Sequence, residues 1–240
     1  MMKRNVLSLV RNVMMTGCVL IAAGAVMSCS KSSDYNGNQG SVSAAIAVFN
    51  LSDQSGVNIS LGGSVLYNTS LVYPSYMDYQ AIRPGTYTVR SFVASSNTTL
   101  AESSFNFDTA NYHTVVIAGA NNNYKNITVR DNFDNLSGTN GKAYVRFINA
   151  VPDSTQPTVT ISGGTSPISF VSGFGISSDF KEVTPGDITI KADNGATINA
   201  SSVLAAQATG VYTAVVMGFP GSTDTAKAVK VKFILNGRLQ

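Results

Sequence analysis

Few residues in this chain are equipped for chemistry. There is one histidine, His113, two cysteines, Cys18 and Cys29, no tryptophan, and thirteen carboxylates among 240 residues. A nucleophilic triad needs a base oriented by a third group beside the nucleophile. No serine here lies in a recognisable elbow motif. A glycosidase needs two carboxylates facing one cleft, and none of the thirteen sits in a diagnostic motif; Asp53, Asp78, Asp131, Asp134, Asp153 and Asp179 are the ones to follow. Asp131-Asn132-Phe133-Asp134-Asn135 offers hard oxygen ligands of the kind Ca²⁺ takes, so Asp131 and Asp134 are candidate metal ligands. The same residues also end strands and make Asx-turns. Tyr67, Tyr73, Tyr76 and Tyr79 gather around Pro74, and aromatic faces suit sugar rings or apolar peptide groups.

The N-terminus reads as an address. Lys3, Arg4 and Arg11 form a basic region, and Val13 to Met27 is uncharged and mostly apolar. That stretch is shorter than the ~20 residues of a spanning helix and suits a signal peptide. It ends in Val26-Met27-Ser28-Cys29, which resembles a bacterial lipobox. The resemblance implies a lipid on the thiol of Cys29 and cleavage before it. Processing at Cys18 instead would leave Val19 to Met27 as an exposed apolar tail. Residues 1–28 are therefore expected to be a signal peptide. Residues 29–41, rich in Ser, Asn and Gly after Cys29, are expected to be a flexible tether. Lys31 and Asp34 partly match an outward-export signal. The expected location is the outer membrane of a Gram-negative cell, facing the periplasm or the exterior.

Removing Lys3, Arg4 and Arg11 leaves thirteen basic against thirteen acidic residues. The apparent basicity therefore belongs to the leader and argues for no acidic partner. Charged residues are 12% of the chain, against ~25% in ordinary globular proteins. A nucleic-acid binder needs denser Lys and Arg, and a disordered chain needs lower hydrophobicity.

The remainder is one pattern written twice. Ile46-Ala-Val-Phe-Asn50 matches Val145-Arg-Phe-Ile-Asn149, and Gly62-Gly63 matches Gly163-Gly164. Asp78 to Arg90 matches Asp179 to Lys191 without a gap, and Tyr112 to Gly119 matches Val211 to Gly218. The order and near-constant spacing argue duplication. Residues 86–94 and 187–192 alternate as half-buried strands do. Residues 113–118 and 212–217 are continuous apolar and β-branched runs, as in central strands. Pro84-Gly85 and Pro185-Gly186 are turn signals, and helical periodicity is missing after the leader. The expected fold is all-β: two tandem antiparallel β-sandwich domains, immunoglobulin-like or prealbumin-like, at residues 42–137 and 138–240. The boundary at Ser137-Gly-Thr-Asn-Gly141 suits a linker. Sandwiches joined end to end would leave loops and a groove between them.

The repeat comparison also weighs the candidates. His113 corresponds to Tyr212, which points to a strand residue, exposed or hydrogen-bonded, rather than a base. Tyr73 corresponds to Phe174, Tyr79 to Phe180 and Tyr67 to Ile168, so these three read as packing residues. Tyr76, opposite Ser177, is the unmatched aromatic and the candidate ligand-binding residue. Asn-X-Ser/Thr at Asn50, Asn58, Asn68, Asn97, Asn126, Asn135 and Asn199 reads as β composition. Asp108-Thr109-Ala110 and Asp224-Thr225-Ala226 resemble envelope-protein O-glycosylation sites, which makes Thr109 and Thr225 candidate acceptors.

Ala143-Tyr-Val-Arg-Phe-Ile-Asn-Ala-Val-Pro-Asp153 resembles the opening strand and loop of the domain-of-unknown-function 4397 family. Pro84-Gly-Thr-Tyr-Thr-Val89 and Tyr112-His-Thr-Val-Val116 resemble its later strands. Asn50-Leu-Ser-Asp53 departs by lacking the proline, and Asn149 stands where the family usually has histidine. The resemblance implies a secreted or lipid-anchored β-sandwich protein, with no activity attached to it. The expected function is a non-enzymatic envelope protein that binds or scaffolds a glycan or protein partner. It would hold no cofactor, Ca²⁺ at Asp131 and Asp134 excepted. A fimbria-like or adhesive subunit and a hydrolase with an unrecognised carboxylate site are the alternatives. Mass spectrometry of the mature N-terminus is expected to find Cys29 as the first residue, carrying lipid. An unmodified Cys29 or a start elsewhere would remove the anchor.

Overall fold

Two kinds of strand are written into the chain, and they occupy different layers. The computed structural model describes residues 43–163 and 166–240, and every regular element in them is a β-strand. The expected signal peptide, Cys29 and the expected tether lie outside the described residues. In the first unit β1 (Ala44–Ser52), β4 (Ser75–Ile82), β7 (Tyr112–Ala120) and β8 (Asn123–Asp131) form a sheet in the order β4-β1-β7-β8. Facing it are β2 (Val57–Leu61), β3 (Ser64–Val65), β5 (Gly85–Val93) and β6 (Thr99–Phe107), in the order β3-β2-β5-β6.

The second unit repeats this order. β9 (Ala143–Asn149), β12 (Lys181–Val183), β15 (Gly210–Met217) and β16 (Lys230–Arg238) run β12-β9-β15-β16. Opposite them, β10 (Thr158–Ser162), β11 (Ile168–Val171), β13 (Gly186–Asp193) and β14 (Asn199–Ala206) run β11-β10-β13-β14. An immunoglobulin sandwich keeps its first two strands in one sheet. Here the first and second strands of each unit lie in different sheets, which leaves the prealbumin-like arrangement. The sheets are also not wholly antiparallel. β1 runs parallel to β7 from Ala45↔Tyr112 to Ser52↔Gly119, and β9 parallel to β15 from Val211↔Tyr144 to Val216↔Asn149. Each pair joins strands separated by the whole opposite sheet, so no hairpin dictates their relative direction.

The units stack face to face rather than end to end. Ile46 and Val48 of β1 point inward with Val115 and Ile117 of β7, against Val57, Ile59, Val89 and Phe107. Successive strand residues face opposite sides, so Ala47, Phe49 and Leu51 face the other way. There they pack with Val116, Ala118 and Ile127 against Ile148, Ala150, Phe174, Val215 and Met217 of the second unit. The second unit has its own core around Phe147, Val159, Ile188, Ile190 and Ile198. Four sheets thus enclose three apolar layers, and the middle layer belongs to both units. The segment expected to be a linker is pinned as well. Phe133 is buried beside Tyr144 and Val211, the Ser137 N–H donates to the Tyr144 hydroxyl at 2.9 Å, and Asn140 donates to Tyr144 and Glu182, each at 2.9 Å.

A buried ion pair crosses the middle layer. The Arg146 guanidinium of β9 donates to the carboxylate of Asp131 at the end of β8. Their side chains are 3% and 0% exposed, so water screens neither charge. Arg146 also donates through Nε to Thr213 at 2.9 Å and lies over the Phe180 ring. Tyr79 and Thr114 donate to the other Asp131 oxygen at 2.7 and 2.8 Å. Removing one member of such a pair leaves an uncompensated buried charge, whereas an apolar replacement of both can be neutral. Asp131→Ala is expected to lower stability by ~3–5 kcal/mol in chemical denaturation, with the whole chain melting in one transition. Asp131→Leu combined with Arg146→Met should recover most of the loss. Two separate transitions in the wild type would show that the units are not coupled.

Candidate functional site

The parallel pairs decide where the loops go. β1 and β7 end together in one unit and β9 and β15 in the other, and residues just beyond β7, β9 and β15 line one cavity, which places these ends together at one end of the stack, here called distal. A glycine closes the last turn of the ladder in each unit. Gly119 has φ +135°, and a Cβ there would fall 2.2 Å from the Asn123 carbonyl; at Gly218 (φ +114°) it would fall 2.4 Å from that of Ala228. Beyond these glycines the units differ. In the first, Asn121 (φ 52°) and Asn122 (φ 65°) make a two-residue turn between paired Ala120 and Asn123, as a type I′ hairpin requires. In the second, residues 218–229 separate β15 from β16, and residues 150–157 separate β9 from β10.

These segments line a cavity of about 370 Å³ between the units, with Asn121, Asn123, Pro152, Asp153, Ser154 and Phe219 on its walls. Its walls are fixed by hydrogen bonds. Asp153 accepts from the Thr155 N–H and the Thr197 hydroxyl, each at 2.7 Å, and these bonds hold its carboxyl below the usual carboxylate range. Asp53 accepts from the Tyr124 hydroxyl at 2.7 Å and from the Asn121 N–H at 3.3 Å. Phe219 packs on Tyr73 with ring centroids 5.4 Å apart, and its N–H donates to the Lys227 carbonyl at 2.8 Å. A reciprocal contact sits on the other flank, where Lys125 donates to the Phe174 carbonyl at 3.0 Å and lies over that ring. Tyr73 and Phe174 are the repeat partners matched in the sequence, so the equivalent aromatic of each unit contacts the other unit, by ring packing in one case and through a lysine in the other.

The residues singled out from sequence are dispersed. Tyr76 is 62% exposed and stacks on Phe49 at 5.3 Å and 17°, on the flank of β4 rather than in the cavity. Tyr73 and Tyr79 pack against the shared layer and Tyr67 against the first core. Burial raises the Tyr79 hydroxyl well above its ordinary range, and Asp131 adds to the shift. Asp131 is spent on Arg146, Tyr79 and Thr114, while Asp134 is exposed and pairs with Arg130 at 3.6 Å. The two carboxylates are not brought together for Ca²⁺, because one is an interior counter-ion and the other a surface group. No cluster of three or more His, Cys, Asp or Glu suited to a metal occurs among the described residues. Asp131 is spent in the interior, while Asp153 lines the distal cavity and Asp53 holds the Asn121 turn beside it. Thr109 and Thr225 are both exposed on turns: the Asp108 carbonyl accepts from the Asn111 N–H at 3.4 Å, and that of Asp224 from Lys227 at 3.0 Å.

Asn50 and Asn149 have a structural task. Each is buried; its Oδ1 accepts from the N–H two residues on, and its Nδ2 donates to Leu71 O at 2.9 Å or Ser172 O at 2.8 Å. Asn126 likewise bonds Ser91, Val89 and Ala101. Repetition of the asparagine in both units was the available signal for this role. Phe219, Asn121 and Asn123 were missed as site residues, because the cavity forms only where the units meet.

His113 is neither exposed nor hydrogen-bonded. It is fully buried in T-shaped contact with Phe105 and Phe107, and neither ring nitrogen has a hydrogen-bond partner. Burial pushes its pKa below the ordinary 6.5, an effect that the Ala45 backbone, Asp131 and Asp108 only partly offset. The folded state therefore holds His113 neutral, and unfolding takes up a proton at lower pH. Its contribution is complete above about pH 6.5 and lost progressively below it. Denaturation midpoints compared at about pH 7.5 and about pH 5.5 should fall more for the wild type than for His113→Phe. Equal falls would show that His113 carries no such linkage.

Residues 44–156 match the family model described as domain of unknown function DUF4397. That span is just under half of the chain and takes in the whole first unit, β9 and the loop after it. No curated protein matches the chain. Among solved structures, the TIE protein of Bacillus anthracis is 12% identical with a TM-score of 0.23, covering 75% of this chain and 34% of its own. This chain therefore spans about a third of that protein. The family CBM26 module of Eubacterium rectale Amy13K, solved with maltoheptaose, is 7% identical with a TM-score of 0.27, covering 79% and 96%. A candidate cell-adhesion protein of Bacteroides uniformis is 8% identical with a TM-score of 0.22, covering 80% and 98%. Scores this low carry no argument about function.

Proposed function

We propose that this DUF4397-bearing chain is a lipid-anchored, non-enzymatic binding protein of the Gram-negative outer membrane, and that it presents its distal cavity to a glycan or protein partner. The observation that carries the reading is the placement of the cavity. β1 begins at Ala44, just after the tether, and runs toward the distal end for nine residues. At ~3.3 Å per residue, β1 carries the chain ~30 Å from its first residue toward the cavity. The ligand-facing loops would then point away from the bilayer. The two longer loops of the second unit are where the repeat is broken, and both line the cavity.

The non-enzymatic reading follows from how the reactive groups are used. His113 is a core residue, Asp131 an interior counter-ion, and Asp53 and Asp153 hold loops. A catalyst needs such groups convergent and within reach of a substrate. One observation favours the strand-accepting, fimbria-like alternative. β4 is eight residues long and pairs only with β1, so its outer edge could take a further strand. Thr109 and Thr225, exposed on similar turns, are the proposed O-glycosylation acceptors.

Binding screens of the full chain in detergent, against glycans and envelope proteins, should yield a ligand whose capture is weakened about tenfold by Phe219→Ala. Capture insensitive to Phe219→Ala and abolished by a proline in β4 would favour the strand-accepting reading. Intact mass of protein from its native host should drop by one glycan for each of Thr109→Ala and Thr225→Ala. An unchanged mass removes the modification.

A further inference from the structure

The geometry points to a neutral, hydroxyl-rich oligosaccharide as the ligand of the distal cavity, an inference that rests on reading this cavity as the binding site. Three features of the walls select that chemistry. The first is charge. No Lys or Arg lines the cavity, and its one carboxylate, Asp153, is kept ionised by the Thr155 N–H and the Thr197 hydroxyl. A uronate, sulfate or phosphate entering here would meet a fixed negative charge and no counter-ion. Neutral ligands meet only acceptors and donors.

The second feature is unspent polar groups. The side chains of Asn121, Asn123 and Ser154 make no hydrogen bond among the described residues. Each amide offers two donors and an acceptor, and the serine offers one donor and accepts as well. That mixture suits vicinal hydroxyls, which both donate and accept. The third feature is the apolar surface that Phe219, Pro152 and Pro220 contribute to the lining. The C–H face of a sugar ring packs against such a surface, as it does on aromatic side chains generally. The cavity volume of about 370 Å³ is near the lower end of small-ligand sites, ~300–1,000 Å³. It admits the end of an oligosaccharide rather than a folded protein element.

Rigid walls make the site economical to occupy. Asn121 sits in a two-residue turn with left-handed backbone at both positions. Asp153 is tied to Thr155 and Thr197, and the loop carrying Phe219 is tied back through Lys227. Little ordering remains to be done when a ligand enters.

The test uses the full chain in detergent on an array of short neutral oligosaccharides, built from glucose, mannose, galactose and N-acetylhexosamines, with uronate and sulfated counterparts beside them. Selective capture of a neutral oligosaccharide is expected, weakened about tenfold by Phe219→Ala and measurably by Asn123→Ala, with thermal melting of both variants checked. Capture confined to the acidic glycans overturns the inference. A protein ligand lost on Phe219→Ala, with no glycan captured, would also overturn it while leaving the cavity as the binding site. Glycan capture indifferent to both substitutions would sink the inference and the cavity reading together.

Discussion

The architecture depends on a sheet that has no solvent side. β1, β7, β9 and β15 are covered on both faces, inwardly by their own sandwich and outwardly by the other unit. Sheets of this kind read as unbroken apolar runs rather than alternation. Each unit alone would expose one such face, so stacking is forced by the same residues that build the strands. The Arg146–Asp131 pair then fixes which way the faces meet. A charge buried in that layer is tolerable only opposite its partner, which penalises any slip of one sheet across the other.

Much of this was legible in the sequence, and the part that was not has a physical cause. Residues 113–118 and 212–217 announced central strands, and residues 86–94 announced a half-buried one, because burial on one or two faces imposes period-two or continuous patterns directly. The Pro-Gly turns and the repeat offsets fell where the strands break. The stacking was hidden because an apolar run does not say what covers each face. Arg146 inside such a run was the one visible irregularity: a guanidinium in a strand otherwise apolar needs a buried counter-charge, and Asp131 lies fifteen residues before it. His113 was misjudged for a related reason. Its repeat partner Tyr212 accepts at its hydroxyl from the Gln207 N–H at 3.0 Å, whereas imidazole is too short to follow it out of the core.

The cavity illustrates what duplication makes available. Two identical units stacked about a common layer would present matching loops, and Tyr73 and Phe174 still occupy equivalent places at the junction. The lengthened loops of the second unit break it on one side only. The first unit keeps a turn of two residues there, so it supplies a fixed wall while the second supplies the variable one. If the cavity binds a ligand as proposed, such a division would let ligand preference drift through loop residues such as Ser154 and Phe219 without disturbing the three apolar layers beneath.

The parallel pairing of β1 with β7 has a mechanical consequence. A chain held at the start of β1 and loaded at the distal loops is pulled along its strands. The ladder bonds of β1 lie across that direction and join it to a neighbour on each side. Tension is therefore shared among many bonds in shear, instead of opening them one at a time as in peeling. β1 is thus the strand best placed to resist extraction, and a load applied at the distal loops would be borne by the whole sheet before any part of it gives way.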